Sequence, residues 1–471
     1  MSGITDNADE AQSLVSLGFA DRRFIPCLSM FAVVLWGTLA RGAFYRTDLI
    51  VLVTMSVVSG LVTIGLFSQT RSVRRRWLFL CAPPVFAVVV SAVAGHDVAD
   101  VGYALAPIAA MVGVAAVSVT MARAGGRLVL FRVVADVGTL LAVLCWSGVT
   151  FHVLAFAQPL NQGWRASATI GYANVTALFL LIAALTAGTL AARSGRLGDE
   201  VRCWLVLVGL LCTQSRSALV ALVVCVGLGL LAKRRAANIL ARAGGAAVLA
   251  FAGLLPSIVD PTPSPVTATV AAAASLSGVL LRLSTRGRRT QLTTLVVLAG
   301  ACVVAAVWLH GRLFDFGSND GRLRLWQGAV TAIRQAGWFG IGPGQLASLS
   351  RGTATVLLVH NDLLQYALYY GLPGVLAIIV SCWGIGLALR RTRATAPAMS
   401  WDLAVAVLIV TGISALVDFP LQVPIVPVVV TLIVCAGLAP GTKAEQSPTG
   451  ESAPAGVGQN EKEGVLCPGT E

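Results

Sequence analysis

The chain has 471 residues, 56% hydrophobic and 12% charged, with 34 basic side chains against 21 acidic ones and a mean hydropathy of +0.82. Soluble proteins carry about 25% charged residues, so a soluble globular enzyme, a disordered chain and a fibrous one are all excluded. The net charge of +13 does not point to nucleic acid, because the basic residues form short clusters between apolar stretches and no domain-sized polar segment carries them.

Met1–Asp21 is polar and acidic and lacks the short apolar core of a cleavable signal peptide. Apolar spans follow near 24–40, 47–67, 77–94, 98–122, 128–155, 169–192, 203–232, 237–259, 267–283, 292–310, 363–390, 401–418 and 424–440. A crossing needs about 20 apolar residues. The expected fold is therefore all-α: a polytopic transmembrane helical bundle of about 12–14 membrane segments. Residues 1–23 and a Gly/Pro/Ser/Glu-rich tail, 441–471, flank the transmembrane domain 24–440. The ten cysteines are scattered without a CxxC, as apolar fillers. No His/Cys/Asp/Glu spacing predicts a metal site, and no cofactor is expected.

Basic clusters fix an orientation. Those at Arg71–Arg76, Arg123–Arg127, Arg193–Arg202, Arg286–Arg289 and Arg390–Arg393 go to the cytoplasmic side, which leaves 95–97, 156–168, 260–266, 311–360 and 419–423 outside. Arg41 and Arg46, in an outer turn, are the exception. The stretch 203–232 has basic residues at both ends, Arg202 and Lys233–Arg235. A single crossing would put one cluster outside. Parity closes if the stretch enters and returns as two short helices meeting at Thr213-Gln214-Ser215-Arg216-Ser217. Irregular backbone at that depth must be buried in protein or line a wet cavity. Arg216 is thus predicted to face an outward-opening cavity, and both termini to be cytoplasmic.

The one long loop, 311–360, is extracytoplasmic in this scheme, and loops of that length are usually functional. Its Ser318, Asn319 and Asp320 suit a helix start. Leu323, Trp326, Val330 and Ile333 then recur at helical spacing, which predicts a short amphipathic helix. On the helical wheel the apolar direction lies about 60° from Arg322 and about 140° from Arg324. Arg322 borders the buried face near Trp326, and Arg324 points to water. Gly340-Ile341-Gly342-Pro343-Gly344-Gln345 is glycine-rich, but no GK[ST] follows, so a tight turn is expected rather than a nucleotide loop.

His360 stands at the outer mouth of the next span, where a neutral imidazole can accept a proton. Asp362 is read as that span's helix cap. Arg165, Asn174, Asp97, Asp418 and Gln422 are weaker polar candidates at the same face. Arg132 and Asp136 are read as an i,i+4 ion pair near an inner helix end. None of Arg216, Arg322 and His360 helped to set the orientation, yet all three fall outside. Two fixed cations and one titratable base suit a diphosphate leaving group and a hydroxyl nucleophile.

The ordered pieces Ser215-Arg216-Ser217-Ala218-Leu219, Gly321-Arg322…Trp326, Trp338-Phe339-Gly340-Ile341-Gly342-Pro343-Gly344-Gln345, His360-Asn361-Asp362-Leu363-Leu364-Gln365 and Gly371-Leu372-Pro373-Gly374 resemble the O-antigen ligase-like superfamily over roughly 200–390. That superfamily comprises O-antigen ligases, O-antigen polymerases and protein O-oligosaccharyltransferases. Upstream, Gly171-Tyr172-Ala173-Asn174 is similar to its Gly-x-x-Asn segment.

The resemblance implies a metal-independent membrane glycosyltransferase of the bacterial cytoplasmic membrane, taking an oligosaccharide from an undecaprenyl-pyrophosphate carrier at the outer face. The acceptor is a glycan, lipid or protein hydroxyl. The catalytic roles fall on His360, Arg216 and Arg322, and substrate binding on Arg216, Arg322, Arg324, Trp326, Asn174 and Asn361. The chain departs from the pattern at Tyr369 and Tyr370, where an acid often stands, so a second acid at the site is in doubt. The competing expectation is a secondary transporter or flippase of an anionic or lipid-linked substrate, for which the split 203–232 stretch also speaks.

Overall fold

The computed structural model describes residues 21–67, 83, 85–90, 98–160, 163–260, 262, 264–284, 317–342 and 358–441. Its helices are α1 (Phe24–Leu39), α2 (Arg46–Phe67), α3 (Val98–Arg123), α4 (Arg127–Phe151), α5 (Ala173–Ser194), α6 (Leu197–Cys212), α7 (Arg216–Leu231), α8 (Arg235–Val259), α9 (Pro265–Ser284), α10 (Gly317–Ala336), α11 (Asp362–Thr392), α12 (Ala398–Val417) and α13 (Ile425–Leu438). Seven helices among the described residues are long and apolar enough to cross a membrane. The protein is a polytopic all-α membrane protein. The segments expected at 77–94 and 292–310, the clusters Arg71–Arg76 and Arg286–Arg289, Asp97, Pro343–Gln345 and the tail lie wholly or mostly outside the described residues.

Helix α5 is the axis. Nearly all of its middle is buried, as expected of a helix that is apolar all round. It packs against α4, α6, α8, α12 and α13. Small residues set the tight crossings. A Cβ on Gly113 of α3 would sit 2.3 Å from the Ser56 carbonyl oxygen of α2, so only glycine permits that approach. Outward faces carry large apolar side chains such as Val223, Leu231, Ile379 and Trp383, the surface a lipid environment requires.

The stretch 203–232 is split as the charge parity demanded. Helix α6 ends at Cys212, α7 begins at Arg216, and Thr213–Ser215 form the tip. The segment 156–168, expected as an outer loop, contains a two-stranded antiparallel hairpin of β1 (Ala157–Leu160) and β2 (Gly163–Ala166). Its four-residue strands are too short for alternation to reveal.

Helix α11 is broken at Gly371, whose φ of 56° and ψ of −142° interrupt the helical run. The glycine-rich segment 338–342 docks into the break. Ile341 N–H donates to the Leu368 carbonyl (2.9 Å), Gly342 N–H to the Tyr369 carbonyl (3.0 Å), and Leu372 N–H to the Trp338 carbonyl (2.9 Å). The carbonyls freed by the break are thereby satisfied. The tight turn expected around Gly340 is present, with positive φ at Gly337, Gly340 and Gly342. It clamps this loop to the span that follows His360.

One expected polar contact is corrected and another is extended. Arg132 reaches Asp199 of α6 at 3.4 Å, and Asp136 takes Arg202 at 2.7 Å, so the two residues read as a pair on one helix also belong to a network with the neighbouring helix. Asp362 is not the cap of α11. Asn361 is, its side chain accepting from Leu364 N–H at 3.0 Å. Asp362 is buried instead and accepts from the Leu421 N–H (2.9 Å) and the Gln422 amide (3.2 Å).

Arg127 is fully buried and donates to the carbonyls of Ala436 (2.8 Å), Ala439 (2.8 Å) and Pro440 (3.0 Å). It closes the C-terminal end of α13, where orphan carbonyls and the helix dipole both favour a cation. Arg127→Met keeps the apolar stem and removes these donors. It is expected to cost about 3 kcal/mol, read as a lower unfolding temperature of the detergent-solubilised protein.

Candidate functional site

The site is assembled around Asp418. This residue ends α12 in an extended conformation, with its side chain 2% exposed. A carboxylate so buried must collect donors, and it does. Oδ1 accepts from the Phe419 N–H (3.0 Å) and lies 3.1 Å from His360 Nδ1. The Tyr172 hydroxyl donates to the carboxylate at 3.2 Å, and the Asn174 amide donates to Oδ2. Arg322 Nη2 lies 4.0 Å away.

Each partner arrives by a local device. Tyr172 and Asn174 start the buried axis helix α5, so their positions are fixed by the core. Tyr172 stacks on Phe419 at 4.8 Å. Burial, and then the negative Asp418 beside it, push the Tyr172 phenol well above its ordinary value, so it stays a hydrogen donor. His360 sits one residue before the Asn361 cap, with a φ of 56° that few side chains adopt. Its carbonyl accepts from Trp326 Nε1 at 3.3 Å, and its ring meets Phe419 edge-on at 4.9 Å. Arg322, on the first turns of α10, donates to the Val417 carbonyl at 3.0 Å and keeps a third of its side chain exposed.

Arg216 is reached through a relay. The Arg165 guanidinium on β2 donates from Nε to the Thr213 carbonyl (2.6 Å) and from Nη2 to the Asn174 side chain, which leads to Asp418. The Gln214 amide donates to the Trp164 carbonyl at 2.8 Å. The α6–α7 tip is thus tied to the hairpin, and the hairpin to the acid. Arg216 heads α7, half-buried, with no hydrogen-bond or ion-pair partner among the described residues.

The structure therefore gathers His360, Arg322, Trp326 and Asn174, and ties the turn bearing Arg216 to them. It does not gather Arg324, which is exposed on the outer side of α10 as the helical wheel required. Asn361 is committed to structure, capping α11 and donating to the Leu416 carbonyl at 2.7 Å. The second acid, in doubt at Tyr369 and Tyr370, is supplied by Asp418 from another span. Among the described residues no group of three His, Cys, Asp or Glu side chains could hold a metal ion.

The chemistry of the cluster follows from its geometry. With Nδ1–H donated to Asp418, the lone pair of His360 is left on Nε2. An imidazole held in one tautomer by a buried carboxylate is a positioned proton acceptor. The guanidinium at its side is a fixed anion binder. Asp418→Asn keeps size but presents an N–H towards Nδ1, which reverses the tautomer. It is expected to lower turnover about a hundredfold or more while leaving donor affinity nearly unchanged, measured as a split between kcat and KM.

A polytopic helical membrane protein with a histidine, a buried carboxylate and arginines gathered near the ends of its spans is the class so defined. Residues 202–379 match the family model described as O-antigen ligase, a segment that carries Arg216, Arg322 and His360. The resemblance to the O-antigen ligase-like superfamily, a family of glycosyltransferase-like ligases and polymerases, is shown over that segment. Tyr172, Asn174 and Asp418 lie outside it. No curated protein matches the chain.

Proposed function

We propose that the protein transfers or polymerises an oligosaccharide from an undecaprenyl-pyrophosphate carrier onto an acceptor hydroxyl, at the outer face of the bacterial cytoplasmic membrane. The observation that carries this reading is the His360–Asp418 pair at 3.1 Å with the Arg322 guanidinium beside it. The acceptor oxygen attacks the anomeric carbon as the bond to the carrier diphosphate breaks. His360 Nε2 takes the acceptor proton. Asp418 holds the ring and balances the imidazolium that forms. Arg322 and Arg216 neutralise the charge growing on the departing diphosphate. The pattern of basic clusters supports the outward orientation, with 1–23 and 441–471 cytoplasmic and 200–390 forming the transfer core of the 24–440 membrane domain.

No step needs a metal ion, because the arginines take the electrostatic role. The acceptor, whether glycan, lipid or protein, is not set by these residues.

Transport is the second reading. The breaks at Thr213–Ser215 and Gly371 give two interrupted spans, a feature of transporters. The test is reconstitution with a fluorescent lipid-linked oligosaccharide. Glycan joined to acceptor, with carrier diphosphate released, supports transfer. Movement of intact donor between leaflets that depends on His360 supports transport and overturns the transferase.

A further inference from the structure

Away from the site lies a second feature that transfer chemistry leaves unused. Helix α7 has 16 residues. At 1.5 Å per residue its far end is about 24 Å from Arg216. There, α5, α7, α8 and α12 enclose a cavity of about 420 Å³. Its walls are apolar, with Leu185, Leu228, Leu240, Leu403 and Ile409 among them. At its exposed end the α7–α8 turn lines it with Lys233, Arg234 and Arg235 in sequence.

That turn is dense in positive charge. Lys233 has a φ of 53°, a left-handed conformation, and α8 begins two residues on, its N-cap Arg234 making no side-chain cap bond. Asp402 of α12 pairs with Arg234 at 3.2 Å. The side chains of Lys233 and Arg235 are exposed and have no hydrogen-bond or ion-pair partner among the described residues. This end therefore keeps two uncompensated charges above a greasy hollow of small-ligand size.

We propose that this cavity binds an anionic glycerophospholipid, its phosphate headgroup at Lys233 and Arg235 and an acyl chain between α7 and α12. Charge complementarity selects the headgroup, since a basic pocket between spans at the membrane edge is what an anionic lipid recognises. Apolar walls select the chain over a soluble phosphate. With the basic clusters cytoplasmic, the lipid comes from the inner leaflet. The site stands or falls separately from glycan transfer.

The test is native mass spectrometry of the full chain in detergent, titrated with dioleoylphosphatidylglycerol, dioleoylphosphatidylcholine or glycerol phosphate. Phosphatidylglycerol is expected to bind about thirtyfold more tightly than phosphatidylcholine. Lys233→Gln/Arg235→Gln should erase that preference, and Ala406→Phe, which fills the cavity wall, should weaken both lipids. Glycerol phosphate should not bind. Equal affinity for the two phospholipids, or a preference that survives the double substitution, overturns the proposal. So does Ala406→Phe that raises the unfolding temperature and leaves lipid binding unchanged, because the hollow then holds no chain. Binding of glycerol phosphate as tight as that of phosphatidylglycerol overturns it likewise.

Discussion

Replacing His360 by asparagine is expected to slow glycan transfer by about 10²–10⁴, the contribution of a positioned general base. Asparagine is the informative choice. The residue holds a φ of 56°, and asparagine tolerates that region better than alanine. The backbone therefore keeps its place, with Trp326 Nε1 still 3.3 Å from the carbonyl. What is lost is the Nε2 lone pair. Donor binding should change little, since the arginines remain. A purified variant that inserts, binds donor and transfers at the wild-type rate would remove the base from the mechanism.

The second large effect belongs to the arginines. Arg322→Ala and Arg216→Ala are each expected to lower the transfer rate by about 10²–10³, as when a charge-stabilising donor is removed from a reacting centre. The two differ in what else they disturb. Arg322 is pinned to the Val417 carbonyl at 3.0 Å, so its removal also frees the start of α10 from α12. Arg216 has no partner among the described residues, so its removal should leave stability untouched. Its loss is therefore the cleaner measure of electrostatic catalysis. Lysine at either position keeps the charge but not the planar fork, and should recover only part of the rate. Rates from single-turnover assays, beside unfolding temperatures, check both substitutions.

Elements governed by local pattern or by simple parity were legible before the structure. Basic residues at both ends of 203–232 required a return, and the tip fell at Thr213–Ser215. Helical spacing set Arg322 against the protein and Arg324 towards water. Interactions that depend on which span lies beside which were not legible. Asp418 is 58 residues from His360 and 246 from Tyr172, and no periodicity links span ends that meet only after packing. A signal existed, for Asp418 stands between a long apolar run and Phe-Pro, where an acid needs a reason. The partners of Arg132 and Asp136 on α6, Asp199 and Arg202, were hidden for the same cause, because the i,i+4 rule weighs one helix alone. Asn361 took the cap from Asp362 because a neutral amide can accept from Leu364 and also donate to Leu416, which a carboxylate cannot.

The most direct measurement is a single-turnover reaction of the reconstituted full chain with a radiolabelled undecaprenyl-pyrophosphate oligosaccharide and a panel of acceptors. Carrier diphosphate should appear in step with glycosylated acceptor in the wild type, and both should appear about a hundredfold or more slowly with His360→Asn or Arg216→Ala. Carrier diphosphate release at the wild-type rate from both variants would mean that these side chains do not act on the donor, and would contradict the account at its centre.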